Sequence, residues 1–316
     1  MDIILLIAGL AILIVAGDVL VRGAVALSLR LGVPMVIVGL TVVAFGTSLP
    51  ELLVSIDAAL SGVPGIAVGN VVGSNITNIL LVLGVPAVIS RVPPSGSGTK
   101  RSYWLVLGAS GVLIALCFAG SLYYMAAAVL LTLLALMLAD MWREARKDPS
   151  HVAEEVSEHF TPMPPWKVAA FILVGIAGLP VGAHLLIEGA VGIARQFGVS
   201  EAVIGLSLVA LGTSLPELAT TVMAGIRKQT DVAMGNVLGS NLFNILAILG
   251  ITSLFGPLPV EPEFLARDLW VMLASALLLA PFVLGNRVIC RRTGTLFLIL
   301  YLGYYAFLFT QAGGAA

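Results

Sequence analysis

Apolar residues run along this chain in ten stretches of membrane-spanning length, with polar residues gathered into the short joins between them. The stretches are Ile3–Ser28, Met35–Leu60, Ile66–Ser90, Tyr103–Ala119, Leu122–Met141, Val168–Arg195, Val203–Ile226, Val232–Leu254, Leu269–Leu284 and Thr295–Phe309. The pattern predicts an all-α polytopic membrane protein with ten transmembrane helices. The fourth and fifth stretches are parted only around Gly120. One join is long: Trp142–Trp166 is polar, mixed in charge, and closes on Pro162, Pro164 and Pro165. It is too short for a domain of its own. Its His151, Glu154, Glu155, Glu158 and His159 read as a solvated linker before they read as a regulatory cation site.

The pattern repeats. Gly39–Gly84 aligns without a gap on Gly205–Gly250, an offset of 166 residues, and 24 of the 46 positions are identical. The offset holds upstream, where Gly23-Ala24 meets Gly189-Ala190 and Gly32-Val33 meets Gly198-Val199. The expected organisation is a first five-helix repeat over 1–141, a hinge over 142–166 and a second five-helix repeat over 167–316. Five spans is an odd number, so the second unit enters the membrane from the opposite side. Two such units form an inverted repeat, an architecture that places a binding site at the repeat interface near the bilayer midplane.

Composition narrows the class. Hydrophobic residues make up 59% and charged residues 10% of 316 positions, and mean hydropathy is +1.08. Soluble domains carry about 25% charge. The net charge of −1 gives no basis for nucleic-acid binding. With the N-terminus outside, 14 of the 16 Lys and Arg residues fall at cytoplasmic ends, leaving only Arg195 and Arg267 outside. That asymmetry places both termini on the external face of the cell membrane. Met1-Asp2-Ile3 lacks a basic leader region, so the first stretch reads as a retained span. Cys117 and Cys290 lie far apart in apolar surroundings and read as inert thiols.

Deep inside the second stretch stands Gly46-Thr47-Ser48-Leu49-Pro50-Glu51, and the same six residues recur as Gly212-Thr213-Ser214-Leu215-Pro216-Glu217. A carboxylate at that depth is costly without a cationic partner. Pro50 has no N–H to give the carbonyl of Gly46, so the helix opens and frees carbonyl oxygens. Thr47, Ser48 and Glu51 share roughly one helical face. Carboxylate, hydroxyl and carbonyl are hard oxygen donors suited to Ca²⁺ or Na⁺. After each carboxylate comes a glycine-rich segment, Gly69-Asn70-Val71-Val72-Gly73-Ser74-Asn75-Ile76-Thr77-Asn78 and Gly235-Asn236-Val237-Leu238-Gly239-Ser240-Asn241-Leu242-Phe243-Asn244. The glycine pairs at spacing four permit close helix approach. Ser74 and Asn78, at i and i+4, add a hydroxyl and an amide oxygen on one face, as do Ser240 and Asn244. Asn70, Asn75, Asn236 and Asn241 read as helix–helix hydrogen-bonding residues. Asp57 has the apolar Met223 as its twin and is left out of the site.

These paired motifs resemble the two α-repeats of the Na⁺/Ca²⁺ exchanger family, within the cation/Ca²⁺ antiporter superfamily, and the resemblance covers essentially the whole chain. It implies that Glu51 and Glu217 are the central Ca²⁺ ligands, shared with Na⁺. Thr47 and Thr213 match positions that give backbone carbonyls to Ca²⁺. Ser48, Ser214, Ser74 and Ser240 match Na⁺ ligands, Ala44 and Ala210 carbonyl donors to the outer Na⁺ sites, and Asn78 and Asn244 the polar pair flanking the centre. The implied activity is Na⁺/Ca²⁺ antiport by alternating access, three Na⁺ per Ca²⁺, with spans one and six as the moving gate. It implies no cofactor, no enzymatic activity and no obligate protein partner beyond the lipid bilayer. Asn244 is neutral where K⁺-dependent members carry Asp, which argues against that branch. The alternative is an antiporter coupled to H⁺ or carrying another divalent cation such as Mg²⁺ or Mn²⁺. No Gly-x-x-x-x-Gly-Lys-Ser/Thr motif is present, so an ion gradient is the expected driving force. Asp18 and His184 occupy equivalent positions, and with Glu188 they read as polar contacts in spans one and six.

Overall fold

The computed structural model describes residues 1–93, 97–145, 163–197 and 210–313. The central part of the hinge, 146–162, lies outside the described residues, together with its His151, Glu154, Glu155, Glu158 and His159. So does the stretch 198–209. The described helices are α1 (Asp2–Leu31), α2 (Met35–Thr47), α3 (Leu49–Leu60), α4 (Gly65–Ile89), α5 (Gly98–Ala119) and α6 (Tyr124–Arg143), then α7 (Pro165–Gln196), α8 (Leu215–Ile226), α9 (Thr230–Thr252), α10 (Phe264–Val283) and α11 (Arg291–Thr310).

Eight of these are long and apolar enough to cross a membrane, and α2 with α3, bent by 45°, makes a ninth span. The seventh expected stretch, Val203–Ile226, is described only from Ala210, as a short turn over Ala210–Gly212 followed by α8. Gly120, at the join between the fourth and fifth stretches, has φ of +127°, which breaks the helix where only glycine is at ease.

The duplication is visible in the backbone. Val92 pairs with Ile289 through hydrogen bonds of 3.0 and 2.9 Å, and Leu122 pairs with Leu258 through bonds of 2.9 and 2.8 Å. Val92 and Leu258 are 166 residues apart, so each bridge is the near-twin of the other, formed by the opposite repeat.

Burial sorts the helices into centre and rim. The apolar window of α9 is entirely buried and that of α4 is 72% buried, against 28% for α1, 22% for α7 and 17% for α11. The last three present their apolar faces to lipid. At the centre α9 crosses α2 at backbone contact. A Cβ on Gly235 would lie 2.6 Å from the Val36 carbonyl oxygen and 3.0 Å from the Cα of Gly39; one on Gly239 would lie 2.6 Å from the Leu40 carbonyl oxygen. In a bilayer, small residues supply this approach where no hydrophobic effect drives helices together. The first-repeat pair differs. Gly69 meets only Phe264, at 3.4 Å, and Gly73 has no neighbour within 4 Å among the described residues. The residues equivalent to Val36 and Leu40 fall at 202 and 206, outside the described part.

α1 and α7 form a second glycine-lined crossing at the rim. A Cβ on Gly182 would lie 2.9 Å from the Leu13 nitrogen and 3.0 Å from the Gly9 oxygen, and one on Gly175 2.6 Å from the Leu20 Cβ. This long pair lies against α8 and the core, which it covers on one flank.

Substitution of Gly235 by Ala is expected to lower the thermal unfolding temperature in detergent by several degrees, the overpacking cost being about 1–3 kcal/mol. Gly108→Ala, where nothing lies within 4 Å, should leave it unchanged or slightly raised. An unaltered melting curve for Gly235→Ala would refute backbone contact at this crossing.

Candidate ion-binding centre

Each glutamate sits in the first turn of a half-helix that begins at a serine. Ser48 precedes α3 with φ −86° and ψ 6°, and Ser214 precedes α8 with φ −88° and ψ 1°. Pro50 and Pro216 then occupy the first turn, where a missing N–H costs nothing. The positive ends of both half-helices therefore point at the centre and ease the cost of two carboxylates there. Ser-Leu-Pro-Glu has the spacing of a capping box, in which serine and glutamate would satisfy backbone N–H groups locally. Neither serine makes that bond. Instead Ser48 Oγ donates to Glu217 Oε1 of the other repeat at 3.0 Å, and Ser240 Oγ approaches the same oxygen at 3.5 Å. Ser48 lies one turn before Glu51, so this bond brings the two acidic half-helices together.

Asparagines fix the surroundings in matched pairs. Asn70 Nδ2 donates to the Glu51 carbonyl at 3.2 Å and to Ser55 Oγ at 3.0 Å. Asn236 Nδ2 donates to the Glu217 carbonyl at 3.3 Å and to Thr221 Oγ1 at 3.0 Å. Asn78 Nδ2 donates to Asn241 Oδ1 at 3.1 Å, and Asn244 Nδ2 donates to Asn75 Oδ1 at 3.2 Å. Each partner pair is shifted by the repeat offset. Asn78 and Asn244 stand at helical turns widened to π geometry, Asn78–Val82 and Phe243–Ile248, a distortion that often accompanies functional sites.

With the amide nitrogens so committed, four oxygens are left over. Glu51 Oε2, Glu217 Oε2, Asn78 Oδ1 and Asn244 Oδ1 are buried without a hydrogen-bond donor among the described residues. Both glutamates are 1% exposed. A buried acceptor without a partner is expensive, and an unpartnered buried carboxylate more so. Two matched pairs of hard oxygen acceptors suit an alkali or alkaline-earth cation.

The remaining expected residues are placed as follows. Ser74 and Ser240 are buried on α4 and α9. Thr47 Oγ1 donates to Asn236 Oδ1 at 3.2 Å and to the Ala44 carbonyl at 3.3 Å, so its hydroxyl is occupied and its backbone is held. The Ala44 carbonyl also accepts from the Ser48 N–H at 3.0 Å. Ser214 Oγ is buried without a partner among the described residues, and the bond of Ser48 has no twin there. Ala210 opens the short turn before Thr213, and its side chain is outside the described residues. Asp57 is exposed on α3. The hydroxyls of Ser55 and Thr221 were missed; their signal is a hydroxyl kept at the same offset in both repeats.

A cavity of about 630 Å³ opens beside Asp2, His184, Glu188 and Arg195 and ends on Pro50, Thr213 and Pro216, at the two broken turns. On the other side a groove of about 370 Å³, lined by Pro86, Ser90, Arg91 and Lys228, reaches only Thr221, one turn beyond Glu217.

Paired acidic half-helices at the crossing of two inverted repeats, reached by a cavity from one side, define a membrane carrier for cations. The sodium/calcium exchanger protein family matches residues 1–142 and 167–310, and the chain belongs to that family. It is 38% identical to the putative antiporter CaxA of Alkalimonas amylolytica, over 98% of each chain. It is 31% identical to the sodium/calcium exchanger MaX1 of Methanosarcina acetivorans, over 97% of this chain and 98% of that one. Among solved structures, the sodium-calcium exchanger NCX_Mj soaked with 10 mM Na⁺ and no Ca²⁺ superposes with a TM-score of 0.82. That match covers 96% of this chain and 98% of the other at 32% identity.

Asn236 holds three groups and Asn70 two. At roughly 1 kcal/mol per net hydrogen bond, Asn236→Ala should destabilise the protein more than Asn70→Ala, by about 1 kcal/mol or more. Thermal unfolding of both variants in Ca²⁺-free detergent buffer checks the order; a reversed order would contradict the geometry.

Proposed function

We propose that this protein exchanges Na⁺ for Ca²⁺ across the cell membrane by alternating access, with Ca²⁺ export driven by the Na⁺ gradient. The observation that carries the reading is the symmetric set of unpartnered oxygens on Glu51, Glu217, Asn78 and Asn244. Family membership and the likeness to MaX1 and NCX_Mj support the choice of ions, whereas no feature of the site favours H⁺ coupling.

Glu51 and Glu217 are the charged ligands. One Ca²⁺ balances both carboxylates, and several Na⁺ do the same. The two loads use the same oxygens and so exclude each other. Asn78 and Asn244 contribute side-chain oxygens, Ser48, Ser74, Ser214 and Ser240 hydroxyls, and Thr47, Thr213, Ala44 and Ala210 backbone carbonyls, as the family resemblance implies. A carrier that changes sides only when the carboxylates are neutralised couples the two fluxes. The cavity at Pro50 and Pro216 is taken as the external route and the groove at Thr221 as the cytoplasmic one, the sidedness that the Lys and Arg asymmetry implies.

Glu51→Gln and Glu217→Gln should each abolish Na⁺-driven ⁴⁵Ca²⁺ uptake into proteoliposomes, since one remaining carboxylate cannot balance the divalent ion. Asp57→Asn should retain most of it. Uptake driven by an imposed pH gradient but not by Na⁺ would overturn the assignment of the coupling ion, and full activity in Glu51→Gln would remove the site.

A further inference from the structure

We infer that Asp18 and Arg227 form an ionic latch that holds α1 on α8, closes the cytoplasmic side and biases the carrier toward its externally open state. The inference rests on the alternating access proposed above.

The repeat offset of 166 relates α1 to α7 residue by residue. Asp18 corresponds to His184, Arg22 to Glu188 and Gly17 to Ala183. On α7 the three positions line the open cavity. His184 and Glu188 are 79% and 56% exposed, and their side chains stand 3.8 Å apart. On α1 the same positions are closed against α8. A Cβ on Gly17 would lie 3.1 Å from the Ala219 carbonyl oxygen and 3.3 Å from Met223 Cγ. Asp18 is 18% exposed; its Oδ2 meets Arg22 at 3.0 Å and its Oδ1 is bound by Arg227 Nε.

Equivalent helices thus occupy opposite situations in one structure. To open the cytoplasmic side as the external side is open now, α1 must withdraw from α8, and that separates Asp18 from Arg227. The repeat-equivalent positions on the external side do not reproduce this latch. Arg227 corresponds to Ser61 and Asp18 to His184, a pair that cannot reproduce an Arg–carboxylate bond. Arg227 is positioned by the fold: it is the C-cap of α8, where a helix end favours a cation. The pair is one-third exposed or less, so solvent screens it less than an ordinary surface pair.

The test reads the position of α1 directly. In a Cys117→Ala, Cys290→Ser background, Met223→Cys places a thiol under Gly17. A membrane-impermeant maleimide is applied from the cytoplasmic side of inverted membrane vesicles. Asp18→Asn and Arg227→Gln should each raise the alkylation rate several-fold. The double variant should be no faster than the faster single one, because both remove the same interaction. Arg22→Gln should change it little. Alkylation does not depend on which ions are carried, so it separates failure of the latch from failure of the ion assignment. Unchanged alkylation in both single variants, with wild-type levels of folded protein, would overturn the latch. If a neutral variant does not fold, Arg227→Lys supplies the test, since it keeps the charge but loses the planar fork; a rate equal to wild type would then count against the proposal.

Discussion

Two carboxylates that share one dry site cannot both stay charged without a counter-charge, and the architecture of this protein follows from that constraint. The helices that carry Glu51 and Glu217 are broken so that their positive ends converge on the acids. The prolines that break them sit where the backbone can spare a donor. The amide nitrogens of Asn78 and Asn244 are committed to asparagines of the opposite repeat, which leaves their oxygens without a donor among the described residues. The result is a buried cluster of acceptors that suits a cation.

Duplication makes such a pocket economical to build. One unit that brings an acid, a clamp and a widened turn yields, with its inverted copy, two of each around a pseudo-twofold axis. The clamps at Asn70 and Asn236 and the couples at Asn78 and Asn244 keep that symmetry in hydrogen-bond detail. The departures from symmetry are informative for the same reason. Ser48 reaches Glu217, while Ser214 has no partner among the described residues. One flank of the site opens to a cavity and its twin is sealed by α1. An inverted repeat open to one side cannot present both halves alike, so asymmetry in the contacts records which side is accessible.

Packing at the two crossings divides the labour. At the centre, Gly235 and Gly239 let α9 touch the α2 backbone, and interlocked helices of this kind hold the ligand geometry. At the rim, α1 and α7 are long, largely exposed to lipid, and zipped to each other by glycines. Their hold on the core runs through contacts such as Gly17 on Ala219 and the ion pair of Asp18 with Arg227. A rim pair packed this closely within itself is suited to move as one body.

The sequence by itself determined what is written locally or by repetition. Apolar run length marked the stretches of which the described residues show eight spanning helices and one bent pair, the 166-residue offset marked the duplication, and Gly-Thr-Ser-Leu-Pro-Glu marked the broken helix, the buried acid and the family. These follow from hydrophobic length and backbone chemistry, which act over neighbouring residues. The tertiary structure decided the rest, because the deciding partners are far apart in the chain. Ser48 and Glu51 read as neighbours on one helical face, yet Ser48 bonds Glu217, 169 residues away. Asn236 read as a helix contact, and only the fold shows that it holds Glu217, Thr221 and Thr47 together. Asp18 found Arg227, 209 residues on, with no sign of it in the repeat, where the matching residue is Ser61. Which side of the site is open is likewise absent from two nearly equal halves, since it depends on how one half is packed against the other.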